Sequence, residues 1–508
     1  MKAPITFEPS GVTVWVEPGT TVHQAALVAG VPVSVPCGGR GVCGACGVRV
    51  LDGSLAEPDD TERRAIERGR GGVRLACRAQ VEGRVTVQPV IALRSESSTD
   101  RTLPAAARTV VGVDLGTTSV SAVAVDLEAG VEGPVATVPN LQSASGADVL
   151  SRIAAAVHDS AVLRDAAMLS VTRAIGSALN GVEQPPDAVV IAGNTAMEAL
   201  LAGSDVTGLG AYPFVAPDIP LVIDLDDGEL QARMMPVIGG FIGGDTVACL
   251  LHTGMVDSDA TTLLVDLGTN AEIALAARGS LWVASAAAGP AFEGFGIECG
   301  GAAAPGSVLS AVWSDAHGWR LKVLGDEAAA RLAGSGLVSA VALLRRLGHI
   351  APDGRMTPEG PLADAFFTGE DGVLRVSVGA ERAVTLSQLD VRALQLAKAA
   401  VQVGIAQVLA AAGVTADELD DVYVAGAFGS GLAAADIVEL GIVPASAREK
   451  VRAVGNASLY GALAAAVTPA LVEDAARIAA QAVHVELATD PKFQSALISA
   501  LELAEFNL

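Results

Sequence analysis

The chain has 508 residues, and its 33 Lys and Arg stand against 57 Asp and Glu, a formal charge of −24. Nucleic-acid binders draw affinity from cations that neutralise phosphates, so no nucleic-acid partner is expected. No stretch reaches the ~18 uncharged apolar residues of a membrane span, so no membrane partner is expected either. At ~100–200 residues per domain the length allows about three or four compact units. With 51% hydrophobic but only 3% aromatic residues, their cores must be built from Ala, Val, Leu and Ile. The opening peptide MKAPITFEPS lacks the apolar core of a secretion signal, which predicts a cytoplasmic location. In a reducing compartment, six cysteines point to metal rather than to a disulfide scaffold.

Residues 3–8 and 12–17 alternate apolar and polar around Pro9, Ser10 and Gly11, a hairpin pattern. A short helix follows over 20–30, with Thr20 or Thr21 as its cap and Gly30 as its stop. A glycine-rich loop (34–47), a strand (48–51), a polar helix (61–69) and a last strand (85–90) complete a small β-rich domain, residues 1–93. RSESSTDRTLPAAAR (94–108) has no period and reads as a flexible linker.

From Thr109 onward, strand patterns alternate with helical ones, as in an α/β fold. Two phrases occur twice in the same order. VVGVDLGTTSVSAVAVD (110–126) resembles LLVDLGTNAEIALAA (263–277), and DAVVIAGN (187–194) resembles DDVYVAGA (420–427). A paired repeat on this scale implies two related lobes, placed at 109–240 and 241–508, the second carrying an insertion around 300–384. Long Ala-rich helices are expected over 394–412 and 470–485.

Cys37, Cys43 and Cys46 form C-x5-C-x2-C, and Cys77 follows in the same small domain. Four thiolates suit a [2Fe–2S] cluster. A zinc ribbon would show two C-x2-C pairs, and the C-x2-C-x2-C run of a bacterial four-iron site is absent. Gly38, Gly39, Gly41, Gly44 and Gly47 let the loop wrap tightly and aim N–H groups at sulfur. Residues 1–93 resemble the ferredoxin domains that carry a [2Fe–2S] cluster on a β-grasp (α+β) fold. That resemblance implies Cys37, Cys43, Cys46 and Cys77 as the cluster ligands. Cys249, in VACLL, reads as a small buried hydrophobe, and Cys299 sits in a glycine-rich loop where packing is also expected.

DLGTTS (114–119) and DLGTN (266–270) each follow an apolar strand. An Asp at a strand end can hold Mg²⁺ or orient a nucleophile, while the Gly permits a tight turn that aims hydroxyl and N–H groups at phosphate. Neither a P-loop nor an ordered Rossmann fingerprint is present. The pair resembles the superfamily of actin, heat-shock chaperones and acetate and sugar kinases (ASKHA), whose duplicated α/β lobes clasp ATP. By that resemblance, Asp114 and Asp266 are the catalytic candidates, acting on Mg²⁺ or on water. Gly116, Thr117, Thr118, Gly268, Thr269 and Asn270 would contact phosphates. AGAFGSGL (425–432) would meet the nucleoside through Gly426, Gly429 and Gly431, with AGSGL (333–337) competing for that role.

A [2Fe–2S] domain ahead of an ASKHA-type body narrows the resemblance further. Phrases along the body carry it: GADVLSRI (146–153), VVIAGNTAMEALLAG (189–203), GGDTVA (243–248), AAGPAFEG (287–294), QLAKAAVQVGI (395–405) and AVGNASLYGA (453–462). The chain resembles the reductive activators of corrinoid proteins (RACo) over nearly its whole length. The family implies ATP-dependent transfer of one electron from the cluster to Co(II) of a corrinoid protein, restoring Co(I) for methyl transfer. It also implies an upstream electron donor and a homodimer. The linker is short, so an extra middle domain found in some members is expected to be missing. Gly301 and Ala302 stand where a bulkier Met-Arg pair is expected. Asp245 and Glu293 are expected either to line the ATP cleft or to be solvated acids, His23 to pack or face water, and Asp148 and Arg152, spaced i,i+4, to form a helical surface pair or to face the corrinoid partner. The competing functions are an electron carrier with a nucleotide-binding scaffold and a redox-regulated small-molecule kinase.

Overall fold

A computed structural model describes the chain apart from residues 1, 9–10, 30, 32, 34–45, 61, 64–72, 90–108, 129–130, 147, 181, 183–184, 226–227, 229, 326, 380–381, 427–431, 488–489, 491 and 508. The linker and most of the expected polar helix therefore lie outside the described residues.

The expected hairpin is present as β1 (Ala3–Phe7) and β2 (Val12–Val16), with Ala3 opposite Val16 and Phe7 opposite Val12. Helix α1 (Val22–Val28) and strands β3 (Gly47–Leu55), β4 (Val73–Leu75) and β5 (Val81–Pro89) complete a sheet of order β2-β1-β5-β3-β4. Strands β1 and β5 are parallel. The period-2 pattern of β1 puts Ala3, Ile5 and Phe7 on one face, where they share a core with Val22, Ala25 and Ala26 of α1. A mixed sheet with one helix laid on it is the β-grasp arrangement. Strand β3 runs past the expected 48–51 because two register shifts against β5 keep Asp52 and Gly53 in the ladder.

The next sheet contains β6 (Thr109–Leu115), β7 (Ser119–Asp126), β8 (Val131–Glu132), β9 (Ala136–Pro139), β10 (Ala188–Gly193), β11 (Val222–Leu225) and β12 (Leu230–Met234). Its order is β11-β12-β10-β6-β7-β8, with β9 also on β7. Helices α2 (Val149–Ala178), α3 (Thr195–Ala202) and α4 (Gly244–Thr253) accompany it. Asp148 and Arg152 do not form the expected surface pair. Asp148 caps α2 through Ser151 N–H. Arg152 is fully buried, with Nε donating to the Gly146 carbonyl at 2.9 Å and Nη1 lying 3.2 Å from the Met197 sulfur. The first turn of α2 packs on the 140–146 segment, so the guanidinium finds its acceptors inside.

The third sheet is built on β13 (Thr262–Leu267), β14 (Ala271–Ala277) and β15 (Ser280–Ala286). The expected insertion contains two three-stranded sheets and a helix: β16 (Ser307–Ser314), β17 (Gly318–Val323), β18 (Arg331–Leu332), α5 (Gly334–Arg346), β19 (Phe366–Thr368), β20 (Leu374–Ser377) and β21 (Thr385–Ser387). Then follow α6 (Gln388–Ala412), β22 (Asp421–Ala425), α7 (Ala434–Glu439), β23 (Val451–Gly455), α8 (Ala457–Val467), α9 (Leu471–Gln481), β24 (Ala482–His484) and α10 (Phe493–Ser499). The helix expected to reach residue 485 stops at Gln481, because β24 joins the edge of the sheet beside β15. By length and composition alone α6 could cross a membrane, but 67% of its apolar window is buried against the fold.

The chain forms two compact units, Met1–Ser258 with Asn456–Ala482, and Asp259–Gly455 with Val483–Leu508. This differs from the expected boundary at 240/241. Helices α4 and α8 account for the difference. A Cβ on Gly461 of α8 would lie 2.0 Å from the Ala248 carbonyl of α4, and one on Gly112 of β6 would lie 2.5 Å from the Leu463 N of α8. Backbones this close fix both helices to the first unit.

The sequence repeat is a structural one. In the first unit β10 and β6 are parallel, and β6 turns back into β7; in the second, β22 and β13 are parallel, and β13 turns back into β14. Each copy even carries the same clamp. Thr109 N–H donates to Asp187 at 2.9 Å, and Thr261 N–H donates to Asp420 at 2.9 Å.

Candidate functional site

Cys46 immediately precedes β3, and Cys77 follows β4. Backbone pairing joins them, since Ala76 N–H donates to the Cys46 carbonyl at 2.8 Å. Their sulfurs are 3.3 Å apart and both are buried. Glu62, 1% exposed, grips the strand leading to Cys77: it accepts from Arg74 Nε and Nη2, both at 2.9 Å, and from Leu75 N–H at 2.8 Å. Two soft donors converging at this distance fit an iron held by thiolates. Cys37 and Cys43 lie outside the described residues. Cys249 is fully buried in α4, and Cys299 is half-buried against the core with its sulfur 3.2 Å from Thr385 Oγ1, so both pack as expected.

In the first unit, Asp114 stands near the end of β6, and Gly116, Thr117 and Thr118 make the turn into β7. Asn140 holds this turn at both ends, donating Nδ2 to the Gly116 carbonyl at 2.8 Å and its N–H to the Thr118 carbonyl at 3.0 Å. The Asp114 carboxylate accepts from Asn456 Nδ2 and Ser458 Oγ, each at 2.9 Å. Asn456 is also the N-cap of α8, accepting from Leu459 N–H. Sequence reasoning assigned neither residue a role. The available signal was an Asn directly ahead of an apolar helix in AVGNASLYGA.

Asp245 opens α4 near Asp114. Burial, with a contribution from the Asp114 charge, pushes its carboxyl up to about 7. Behind it, burial raises Glu198 well above the carboxylate range, and Asp245 adds to the effect. Glu198 is fully enclosed and accepts from Gly193 N–H at 2.8 Å. An acid whose folded pKa is raised stabilises the fold below its ordinary value, near 4, and loses that stabilisation as pH rises through about 7. Asp245→Asn is therefore expected to gain thermal stability over wild type progressively from pH 4 to 7. Melting curves of both proteins across that range check it, and a constant difference in Tm would refute the raised pKa.

In the second unit, Asp266 stands near the end of β13, with Gly268, Thr269 and Asn270 in the turn to β14. Thr269 does not present open donors as expected. Its N–H and Oγ1–H both go to Oε1 of Glu293, at 2.7 and 2.9 Å. Gly426 ends β22 with φ 129° and donates to the Gly455 carbonyl at 3.0 Å. Gly429 and Gly431 lie outside the described residues. The glycines of AGSGL are required by packing, since Cβ atoms on Gly334 and Gly336 would lie 1.7 and 2.1 Å from the Phe292 and Val308 carbonyls.

His23 is more engaged than expected. Its Nε2 lies 3.2 Å from Glu132 Oε2, and Glu132 Oε1 accepts from Tyr460 OH at 3.1 Å. His23 N–H donates to the carbonyl of Ala76, next to Cys77, while Tyr460 lies on α8, the helix that holds Asp114. Tyr460 also packs on His252, which burial lowers to about 4 and keeps neutral.

Three family models match the chain: a 2Fe-2S iron-sulfur cluster binding domain at 5–82, the RACo middle region at 109–258, and the C-terminal ASKHA domain of RACo at 260–508. The middle-region match falls on the span expected to form the first lobe. The corrinoid activation enzyme RamQ of Eubacterium limosum is 30% identical over 410 residues, 75% of this chain and 68% of that protein. A [Co(II) methylated amine-specific corrinoid protein] reductase of Methanosarcina barkeri is 29% identical over 51% of this chain and 49% of its own length. A solved reductive activator for corrinoid, iron-sulfur protein has the same fold, with a TM-score of 0.74, 24% identity, and coverage of 99% of this chain and 98% of that one.

Proposed function

The chain belongs to the family of reductive activators of corrinoid proteins, and from that premise we propose that it returns the Co(II) state of a corrinoid protein to Co(I) at the expense of ATP. The observation that carries this reading is the joining, in one chain, of a buried thiol pair on a β-grasp sheet to a duplicated pair of aspartate-bearing turns. Cys37, Cys43, Cys46 and Cys77 would hold a [2Fe–2S] cluster, which would supply one-electron chemistry. The Glu62 clamp on Arg74 and Leu75 keeps Cys77 in place.

In each unit the turn's aspartate, Asp114 or Asp266, would hold Mg²⁺ or position the attacking water. Asn456 and Ser458 fix the Asp114 carboxylate, so it need not reorganise when the cation arrives. Asp245, poised near 7, is suited to take a proton from that water. Gly116, Thr117, Thr118, Gly268, Thr269 and Asn270 receive the phosphates, and Gly426, Gly429 and Gly431 let the backbone approach the nucleoside. ATP can drive reduction only if it binds two protein states with different affinity. The contacts from Asp114 through α8, Tyr460, Glu132 and His23 to the neighbour of Cys77 supply a physical connection between the two chemistries. Reduction also requires an upstream donor. The protein works in the cytoplasm, as a homodimer formed through its C-terminal part.

The test is anaerobic visible spectroscopy of a Co(II) corrinoid protein from the source organism, mixed with the reduced protein with and without MgATP. A Co(I) spectrum only with MgATP is the expected result. Co(I) without ATP would leave an electron carrier on a nucleotide-binding scaffold. No Co(I) in either case, together with phosphate transfer to a small acceptor, would favour the kinase.

A further inference from the structure

The second phosphate turn is occupied by a carboxylate of the chain itself, which the repeat does not predict. Oε1 of Glu293 takes both the N–H and the hydroxyl of Thr269, at 2.7 and 2.9 Å. The same oxygen sits against the turn's backbone, 3.4 Å from where a Cβ on Gly268 would be. No ion pair among the described residues involves Glu293. Its charge is met by a backbone N–H and a hydroxyl, the donor set with which a turn meets a phosphate oxygen. We propose that Glu293 is a resident anion on the second phosphate turn, and that a nucleotide phosphate must displace it to bind. The inference rests on the ATP-binding reading above and deepens it.

The surroundings allow that exchange without remodelling the backbone. Glu293 ends a short helical turn, Pro290–Glu293, bracketed by Gly289 (φ 78°) and Gly294 (φ 82°). Both lie in the left-handed region that glycine adopts at little cost. Gly289 N–H donates to the Thr269 carbonyl at 2.8 Å, which ties the carrier turn to the phosphate turn. Phe292, fully buried, and the close approach of Gly334 to its carbonyl anchor the segment in the core. The half-buried Glu293 side chain is the part left to swing. A phosphate oxygen would inherit the same two donors, and the displaced carboxylate would be repelled from the nucleotide. Binding at this turn is then an exchange of anions, selective for ligands whose charge is high enough to win it. Adenosine, with no phosphate, would not compete.

The experiment is calorimetric titration of the full-length protein and its Glu293→Gln variant with MgATP and, separately, with adenosine. Gln keeps the shape of the side chain and removes its charge. The expected result is MgATP binding on the order of five- to ten-fold tighter in the variant, for about 1 kcal/mol of lost competition, with adenosine affinity unchanged. Equal or weaker MgATP binding would make Glu293 a brace for the turn and overturn the proposal. Equal tightening for adenosine would also overturn it, because the effect would not act through phosphate. If Glu293→Gln does not fold by circular dichroism, Glu293→Asp replaces it: the shortened reach weakens the plug, so tighter MgATP binding is again expected and its absence is fatal. Wild type that binds no MgATP would instead overturn the ATP reading, and this inference with it.

Discussion

Cys77→Ser is expected to give a protein that binds MgATP as wild type does but shows no [2Fe–2S] absorption and forms no Co(I). Cys77 and Cys46 are the two proposed ligands inside the described structure, and their sulfurs already converge to 3.3 Å. Serine is a poor ligand for iron, so cluster occupancy should fall by more than the roughly 10–100-fold seen when only an outer partner of a metal ligand is disturbed. The domain itself should survive. The Glu62–Arg74 clamp and the core of Ile5, Phe7, Val22, Val85 and Val87 do not depend on the thiol. Visible absorption and iron content read the cluster, and calorimetric titration with MgATP reads the body. A variant with a wild-type iron–sulfur spectrum would remove Cys77 from the ligand set. A variant that lost MgATP binding as well would mean that the small domain is needed to shape the ATP site.

The parts of this protein that were legible in its sequence are local ones. The β1–β2 hairpin and the DLGT turns each lie within a few residues of the features that announce them, an alternation and a Gly after an Asp, and the internal repeat shows because each distant copy carries its own local wording. The parts that were not legible depend on contacts between distant segments. Asn456 and Ser458 reach Asp114 across 342 and 344 residues. Nothing in the spacing around either partner signals that, and the same return of the chain moved 456–482 out of the lobe assigned to it. Arg152 had the spacing of a surface ion pair with Asp148, yet acceptors from Gly146 and Met197 drew it inside. Spacing says which residues share a helix face but not what covers that face. Thr269 was read as a phosphate donor from its place after Asp-Leu-Gly. That a carboxylate 24 residues later already occupies its donors needed coordinates. Charge and burial at Asp245 were likewise invisible, since its raised pKa comes from packing and from Asp114, a neighbour only in the fold.

Asp114→Ala is expected to abolish MgATP turnover while leaving the iron–sulfur spectrum intact, the reverse of Cys77→Ser. The carboxylate is the acceptor for both Asn456 Nδ2 and Ser458 Oγ, so its removal leaves two aligned donors facing a gap and no anion for Mg²⁺. Loss of one preorganised electrostatic group at a reacting phosphate typically costs roughly 10²–10³ in rate, and ATP-dependent Co(I) formation should fall with it. The cluster should still be reduced by a strong chemical reductant, because the thiol domain is untouched. A second readout separates a chemical role from a merely structural one. The Asp114 charge contributes to holding Asp245 near 7, so removing it should move the Asp245 transition toward lower pH. The pH at which the melting-temperature advantage of Asp245→Asn stops growing should therefore be lower, and the full advantage smaller, in the Asp114→Ala background. Retained turnover would show that Asp114 is dispensable. Lost turnover with an unmoved pH transition would place the damage in the fold of the β6–β7 turn rather than in its charge. If ATP turnover vanished but Co(I) still formed, hydrolysis would be unnecessary for electron delivery, and binding alone would be the coupled step.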